Sequence, residues 1–379
     1  MNATVVQTAT SQQTLTSDAI KAFAKSRGAD DVGIANIDRW EGAPPEMDPR
    51  KIWPEAKSVV VMIKRIPRGT YRGIEEGTHW NNYTFYSYNR LNTVFLPAIN
   101  YETSCFIEDY GWEAMPIYPG VSERHPNASH PKIGPVAPDI NPQVRIAGVA
   151  AGLGEMGWSK VFLHPYLGPR LRLCMLLTDA VLEPDPIRAP QICDRCRRCA
   201  TQCPGNAIPK DLNCAVSINV GGQPIQWGDV HMGRCTLTHH GLNREASPFL
   251  AKDAPHLDVN VRKSLITEEE AYRLTYTVGR AKWQTTAEFP TDDSMVDYYR
   301  QILDHVGYFA ICGAKGCIRE CMIHLEETKR IGNQFKNPFR KRRPWKIPCV
   351  TPGSKTPELV PNPKWEQPAD IADPAPTAK

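Results

Sequence analysis

Apolar residues recur at helical spacing in Ile20, Phe23 and Ala24, between Ser17 as a cap and Gly28 as a stop, which predicts a short amphipathic helix. Two apolar runs follow, Asp31-Val32-Gly33-Ile34-Ala35 and Ser58 to Lys64 (SVVVMIK). The second is fenced by Pro54 and Pro67, and both read as strands. Val161-Phe162-Leu163 and Leu171 to Thr178 carry a similar pattern and predict two more. The front half therefore mixes helices and strands. Between these pieces, Trp80 to Tyr110 holds Tyr83, Phe85, Tyr86, Tyr88, Phe95, Tyr101, Phe106 and Tyr110. That density suits a helix with one buried face or a wall around a planar ligand, and spacing leaves both open. From Pro116 to Pro142 proline and polar residues dominate, and His125 and His130 fall in a predicted surface excursion too irregular for a metal site. Residues 1–15 read as a loose leader, and residues 353–379 are proline-rich, aperiodic and predicted flexible.

The composition, 41% hydrophobic and 23% charged over 379 residues, excludes a disordered chain, a coiled coil or a collagen-like repeat. The length allows two modest domains or one large one. No apolar run approaches the roughly 18 residues of a membrane span. The polar start has no basic region followed by an apolar one and no twin arginine, which points to a cytoplasmic location. A net charge of +4 is too small to imply nucleic acid. Lys336 to Lys346 (KNPFRKRRPWK) is the local exception, read as a solvated tail or as a docking patch for an acidic electron donor or a nucleic acid.

The sharpest pattern is Cys193-x-x-Cys196-x-x-Cys199-x-x-x-Cys203-Pro204, the spacing by which a bacterial-type ferredoxin segment wraps a 4Fe-4S cube. Three closely spaced thiolates reach one cube from a tight turn, and the fourth ligates a second cluster. One such run predicts a second set, and Cys312-x4-Cys317-x3-Cys321 supplies it. The crossover rule assigns Cys193, Cys196, Cys199 and Cys321 to one cube, and Cys203, Cys312, Cys317 and one further thiol to the other. Cys235 is preferred to Cys214 as that thiol, because it follows Trp227-x-Asp229 and leads into a predicted helix. Cys105, Cys174 and Cys349 remain as core or free thiols. Structural zinc usually pairs two separated CxxC units, and a disulfide between such close neighbours strains its loop, so both readings fall behind the clusters.

Two clusters on one chain make an electron wire, and a wire needs a terminus. Gly152-x-Gly154-x-x-Gly157 matches a dinucleotide fingerprint only superficially, since Ala147 to Ala151 is too rich in small residues for a buried strand. The glycines do permit close backbone approach to a bulky ligand.

GADDVGIANIDRW (Gly28 to Trp40), WPEAKSVVVMIK (Trp53 to Lys64), Tyr86-Ser87, AGLGEMG (Ala151 to Gly157), HPYLGPRLRLCMLLTDAVLEPDP (His164 to Pro186) and the first cysteine run together resemble the reductive dehalogenase family. More distantly they resemble epoxyqueuosine reductase. The resemblance implies an α/β (α+β) fold, with a nitroreductase-like domain over residues 16–187 that binds base-off cobalamin. It implies a ferredoxin-like 4Fe-4S module over residues 188–335, with an insertion at about 236–311, then a basic and proline-rich tail over 336–379.

Such an oxidoreductase takes electrons from an external low-potential donor such as ferredoxin or flavodoxin. It reduces cobalt to Co(I) and cleaves a carbon-halogen or similar bond in a small organic substrate. The implied corrinoid contacts are Gly152, Leu153, Gly154, Gly157 and Trp158. The family's proton donor is a tyrosine beside a basic side chain, and Tyr86 matches it, with Tyr88 as its rival. The basic residue that normally follows AGLGxxG is replaced by Trp158, with Lys160 two places later. Met322 stands where a proline is expected. The long 236–311 insertion is a candidate lid, and His231, His239, His240 and Trp283 in this region are read as surface or packing residues. Asp229-Val230-His231-Met232-Gly233 places its glycine too early for a histidine-ligated corrinoid motif.

Two other functions compete. An epoxyqueuosine reductase-like enzyme acting on tRNA is favoured by the basic run, but PQVRIAG (Pro142 to Gly148) stands where that relative carries an acidic segment. A ferredoxin-like electron carrier leaves the long front half without a role.

Overall fold

The computed structural model describes residues 14–118, 140, 142–243, 246–247, 266–274, 310, 312–342, 347–349 and 358–360. His125, His130, Trp283, most of the leader and most of the terminal stretch lie outside them.

The first helix, α1 (Ser17–Ser26), is capped by Thr16, whose hydroxyl accepts from the Ala19 amide at 3.1 Å. Ser17 is thus the first helical residue rather than the cap. Gly28, at φ 103°, carries the turn that follows Arg27. The strands are β1 (Asp31–Asn36), β2 (Ser58–Arg65), β3 (Ala114–Ile117), β4 (Glu155–Met156), β5 (Phe162–Leu163), β6 (Leu171–Thr178), β7 (Ala215–Val220) and β8 (Gln223–Gly228). The main sheet has the order β1-β2-β6-β3, with every neighbouring pair antiparallel.

The unbroken apolar runs of β2 and β6 have a simple cause, because the sheet is covered on both faces. Val60, Met62, Cys174 and Leu176 pack with Ile20 of α1 and with Ile99 and Ile107 of a later helix, Leu96–Glu108. Val59, Val61, Ile63, Leu173, Met175 and Leu177 pack on the other face with Ala147 and Ala150. Those two alanines belong to a short helix, Val144–Ala150. The AGLGEMG glycines therefore follow a helix rather than a strand, unlike a dinucleotide fold.

The helices after α1 run in chain order as α2 (Arg72–Glu76), α3 (Asn81–Thr84), α4 (Leu96–Glu108), α5 (Val144–Ala150), α6 (Arg198–Thr201), α7 (Met232–His239), α8 (Glu268–Leu274), α9 (Cys312–Lys315) and α10 (Cys317–Glu327). Between α3 and α4 the backbone widens into two π-helical turns, Phe85–Asn89 and Leu91–Phe95. The aromatic segment is thus helical, with Tyr83 buried and Tyr86, Phe95 and Tyr101 exposed.

A further core joins the two halves of the chain. Tyr71, Ile74, Trp80, Tyr83 and Leu91 pack with Leu237, Ala271, Ala314, Ile318 and Met322. Within the predicted insertion, Leu237, Leu242, Ala246 and Ala271 of α8 are therefore core residues. Arg319 of α10 lies at the centre of a buried ion network, with Nε 2.6 Å and Nη2 2.8 Å from the two Glu75 carboxylate oxygens and with Glu320 beside it.

The predicted basic tail folds back onto the same place. Lys341 pairs with Glu320 at 2.9 Å and Arg342 with Glu76 at 2.8 Å, so these cations serve the fold. Further on, Glu358–Val360, within the stretch read as aperiodic, pairs antiparallel with Ile347–Cys349 just before it.

Removing the central cation leaves two carboxylates in a water-poor space. Arg319→Ala is expected to cost about 3–5 kcal/mol. A thermal melt of the variant checks this, and a melt unchanged from the parent contradicts it.

Candidate cysteine-lined redox site

The cysteines are delivered by several pieces of local structure. Cys193 and Cys196 lie on a loop, and Cys199 opens the short α6 just before Cys203. Arg195 and Arg197 hold left-handed backbone at φ 58° and 61°, which curls the loop between the cysteines. Cys235 sits in α7, Cys312 in α9, and Cys317 and Cys321 in α10, four residues apart on one helical face.

Two thiol groups result. Burial pushes the Cys321 thiol well up, and the neighbouring Cys199, Cys193 and Cys196 push it further. Burial likewise raises Cys312, and Cys235, Cys317 and Cys203 add to it. Cys317 is pushed up to about 12 by burial and by Cys203 and Cys199, so the two groups adjoin. Burial also raises Cys199 to about 12, with Cys193 and Cys196 contributing. The geometry thus brings together Cys193, Cys196, Cys199 and Cys321 on one side, and Cys203, Cys235, Cys312 and Cys317 on the other. Cys214 is exposed just before β7, and Cys174 is buried in the sheet. The side chain of Cys349 lies outside the described residues.

Several residues that hold this arrangement have no cysteine signature. Glu155 is buried, and its carboxylate accepts from the amides of Gln191 at 2.5 Å, Ile192 at 3.0 Å and Cys193 at 2.6 Å. It is the glutamate of AGLGEMG, so the glycine-rich segment orients the start of the cysteine loop. The Asp194 carboxylate meets His324 Nε2 of α10 at 2.7 Å, which ties the loop to the helix bearing Cys317 and Cys321. Desolvation alone would raise Asp194, but the His324 hydrogen bond and charge outweigh it and hold the carboxyl low.

The residues predicted to touch a corrinoid have other neighbours. A Cβ on Gly152 would lie 2.3 Å from the Pro186 carbonyl oxygen, and one on Gly154 would lie 2.0 Å from that of Leu163. Gly157 faces the Leu163 side chain, and Leu153 is buried in the core beneath the sheet. Trp158 is buried among Cys199, Cys203, Ala207 and Ile208, with its Nε1 donating to the Pro209 carbonyl at 2.8 Å and Arg195 4.9 Å over its ring. On the Cβ side of each of these glycines the chain itself fills the space. The glycines are explained by close approach of backbone to backbone.

No family model matches the chain. Over 82 residues it is 38% identical to the tetrachloroethene reductive dehalogenase of Dehalobacter restrictus, a match spanning 19% of this chain and 15% of that protein. The enzyme of the same name from Sulfurospirillum multivorans is 38% identical over 85 residues, 21% of this chain and 17% of that one. The chain is distantly similar to tetrachloroethene reductive dehalogenases. The matched segment is under a fifth of either relative's length. Among solved structures, a catabolic reductive dehalogenase in complex with 3-bromo-4-hydroxybenzoic acid aligns with 86% of this chain and 40% of its own, at TM-score 0.42 and 21% identity. An epoxyqueuosine reductase from Bacillus subtilis aligns with 83% of this chain and 82% of its own, at TM-score 0.40 and 16% identity.

The predicted catalytic residues fall into two places. Tyr86 and Tyr88 lie on the first π-helical turn, with Tyr86 44% exposed. Backbone widening of this kind recurs at functional sites in proteins generally. The cation over the Tyr88 ring is Arg172 of β6, 5.2 Å from the centroid. Lys160, read as the basic partner, is buried in the turn after Trp158 at φ 61°. His239 stacks on Tyr88 at 4.9 Å, and burial drives it well below its ordinary value, with His240 and Arg172 adding to this.

The packing role of the glycines is testable by stability. Gly154→Ala is expected to cost roughly 1–3 kcal/mol or more because backbone must move. Gly69→Ala, with open space around it, is expected to stay within about 0.5 kcal/mol. Equal melting temperatures for the two variants would contradict this account.

Proposed function

We propose that the chain is a reductase of the reductive dehalogenase type, in which two 4Fe-4S clusters relay electrons toward the aromatic π-helical segment. The observation that carries this reading is the gathering of eight thiols, seven of them buried or half-buried, into two adjoining groups of four. Cys193, Cys196, Cys199 and Cys321 would hold one cube, and Cys203, Cys235, Cys312 and Cys317 the other. Thiols raised this far by burial ligate only when a metal supplies the positive charge that offsets desolvation. The donor set fits: it is all sulfur and fourfold twice over, with Trp158 packed against Cys199 and Cys203.

Electrons arrive at Cys196, the one exposed thiol of the eight. Arg195, Arg197 and Arg198 flank it, a positive field that steers an acidic low-potential carrier such as a ferredoxin or flavodoxin. The adjoining thiols Cys199, Cys317 and Cys321 make the passage between the cubes short. At the far side, the exposed aromatic residues Tyr86 and Phe95 offer a face for a small organic, halogenated substrate. Tyr86, open to that face, is the proton donor in this reading. The terminal group implied by the sequence resemblance is base-off cobalamin.

Anaerobically reconstituted protein is expected to hold about eight irons per chain. Cys235→Ser should lose about half of them while Cys214→Ser keeps them all, and four irons or fewer in the parent would refute the two-cube relay. Glu155→Ala is expected to deplete the first cube alone, since the Cys193 loop loses its anchor. Protein incubated with cobalamin and desalted should retain it with a base-off absorption spectrum, and complete loss would leave an electron carrier as the better reading. Tyr86→Phe is expected to slow dehalogenation by about a hundredfold with cluster content unchanged. An unaffected rate would move the proton donor to Tyr88.

A further inference from the structure

His239 of α7 stands between the second thiol group and the aromatic segment. Its Nδ1 lies 3.7 Å from Cys312 Sγ, within the range of a hydrogen bond to sulfur. Its ring rests on Tyr88, centroid to centroid 4.9 Å and tilted by 49°. His240 meets it edge-on at 5.0 Å, and the Arg172 guanidinium lies 5.2 Å from the Tyr88 centroid. These contacts surround a ring whose Nδ1 stands against one sulfur.

From this packing we propose that His239 is a positioning residue that tunes the second cluster: its Nδ1–H donates to Cys312 Sγ and raises that cluster's reduction potential above the value the bare thiolates would set. The inference rests on the two-cube reading above. A sulfur bound to iron carries no proton, so a hydrogen bond between these atoms has the ring as donor. A donor aimed at a ligating sulfur stabilises the more negative, reduced cluster, and such bonds are among the levers that set cluster potentials.

The direction also makes sense for the relay. A higher potential on the second cube draws the electron away from the exposed first cube. The Cys312, His239 and Tyr88 contacts then lead it to the π-helical turn.

The test is a redox titration of the anaerobically reconstituted full chain, followed by electron paramagnetic resonance. His239→Phe keeps the ring against Tyr88 and removes the donor. One cluster should become about tenfold harder to reduce, a fall of about 59 mV for one electron, while the other stays put. His239→Gln, which restores an N–H, should recover part of the shift. On the unsubstituted protein, pulsed measurements after 15N-histidine labelling should show a histidine nitrogen coupled to one cluster only, a result that does not depend on any variant folding.

Two clusters with potentials unchanged in His239→Phe, or no histidine nitrogen coupling, would overturn the assignment while leaving the relay intact. A parent protein with only the first cluster would overturn both.

Discussion

Burial of thiols is the constraint from which the rest of the molecule follows. Desolvation disfavours the thiolate, and each further thiol close by disfavours it again. Cys199, Cys312, Cys317 and Cys321 all show both effects. A chain that collects so many of them in one water-poor place must receive compensating positive charge there and must hold the sulfurs still. Glu155 on the loop amides, Asp194 on His324 and Arg319 between Glu75 and Glu320 do the holding. All three are ionic or charge-assisted contacts across long stretches of sequence, and all have their polar atoms matched. The cysteine region is therefore continuous with the sheet domain rather than appended to it.

The front half contributes more to the redox region than a docking surface. Its glycine-rich turn supplies the carboxylate that orders the cysteine loop, and its helical excursion from Tyr71 to Leu91 forms the core on which α9 and α10 rest. The π-helical turns fall in the same excursion, next to α7. An aromatic wall and a thiol group thus share one packing unit, and His239 touches both. Function of the kind proposed needs this proximity, because electron transfer weakens steeply with distance while chemistry needs an accessible face. Burial at Cys312 and exposure at Tyr86 meet the two demands, joined through His239 and Tyr88.

Much of this was legible in the sequence because it is local. The strands at 31–36, 58–65 and 171–178 announce themselves as apolar runs, and the cysteine spacing encodes a turn of defined curvature within one segment. The choice of Cys235 over Cys214 followed from a helix signal nearby, and Cys235 joins the second thiol group. Some chemistry serves two roles that spacing leaves open. Small residues in AGLGEMG are needed for backbone to approach a ligand or to approach more backbone, and here the neighbours are Pro186 and Leu163. Likewise a basic run looks like a solvated patch until its partners are known, and Lys341 finds the buried Glu320 and Arg342 the exposed Glu76.

By itself, then, the amino-acid order determined the strand positions, the first cysteine turn and the presence of a complementary second set. Periodicity and spacing act over a few residues, where backbone geometry leaves little freedom. Only the tertiary structure decided that Arg172 rather than Lys160 lies over a tyrosine, that Trp158 covers the thiols, and that His239 reaches Cys312. Those pairings join residues scores of positions apart. They depend on which faces of several elements bury each other at once, and no local pattern carries that information.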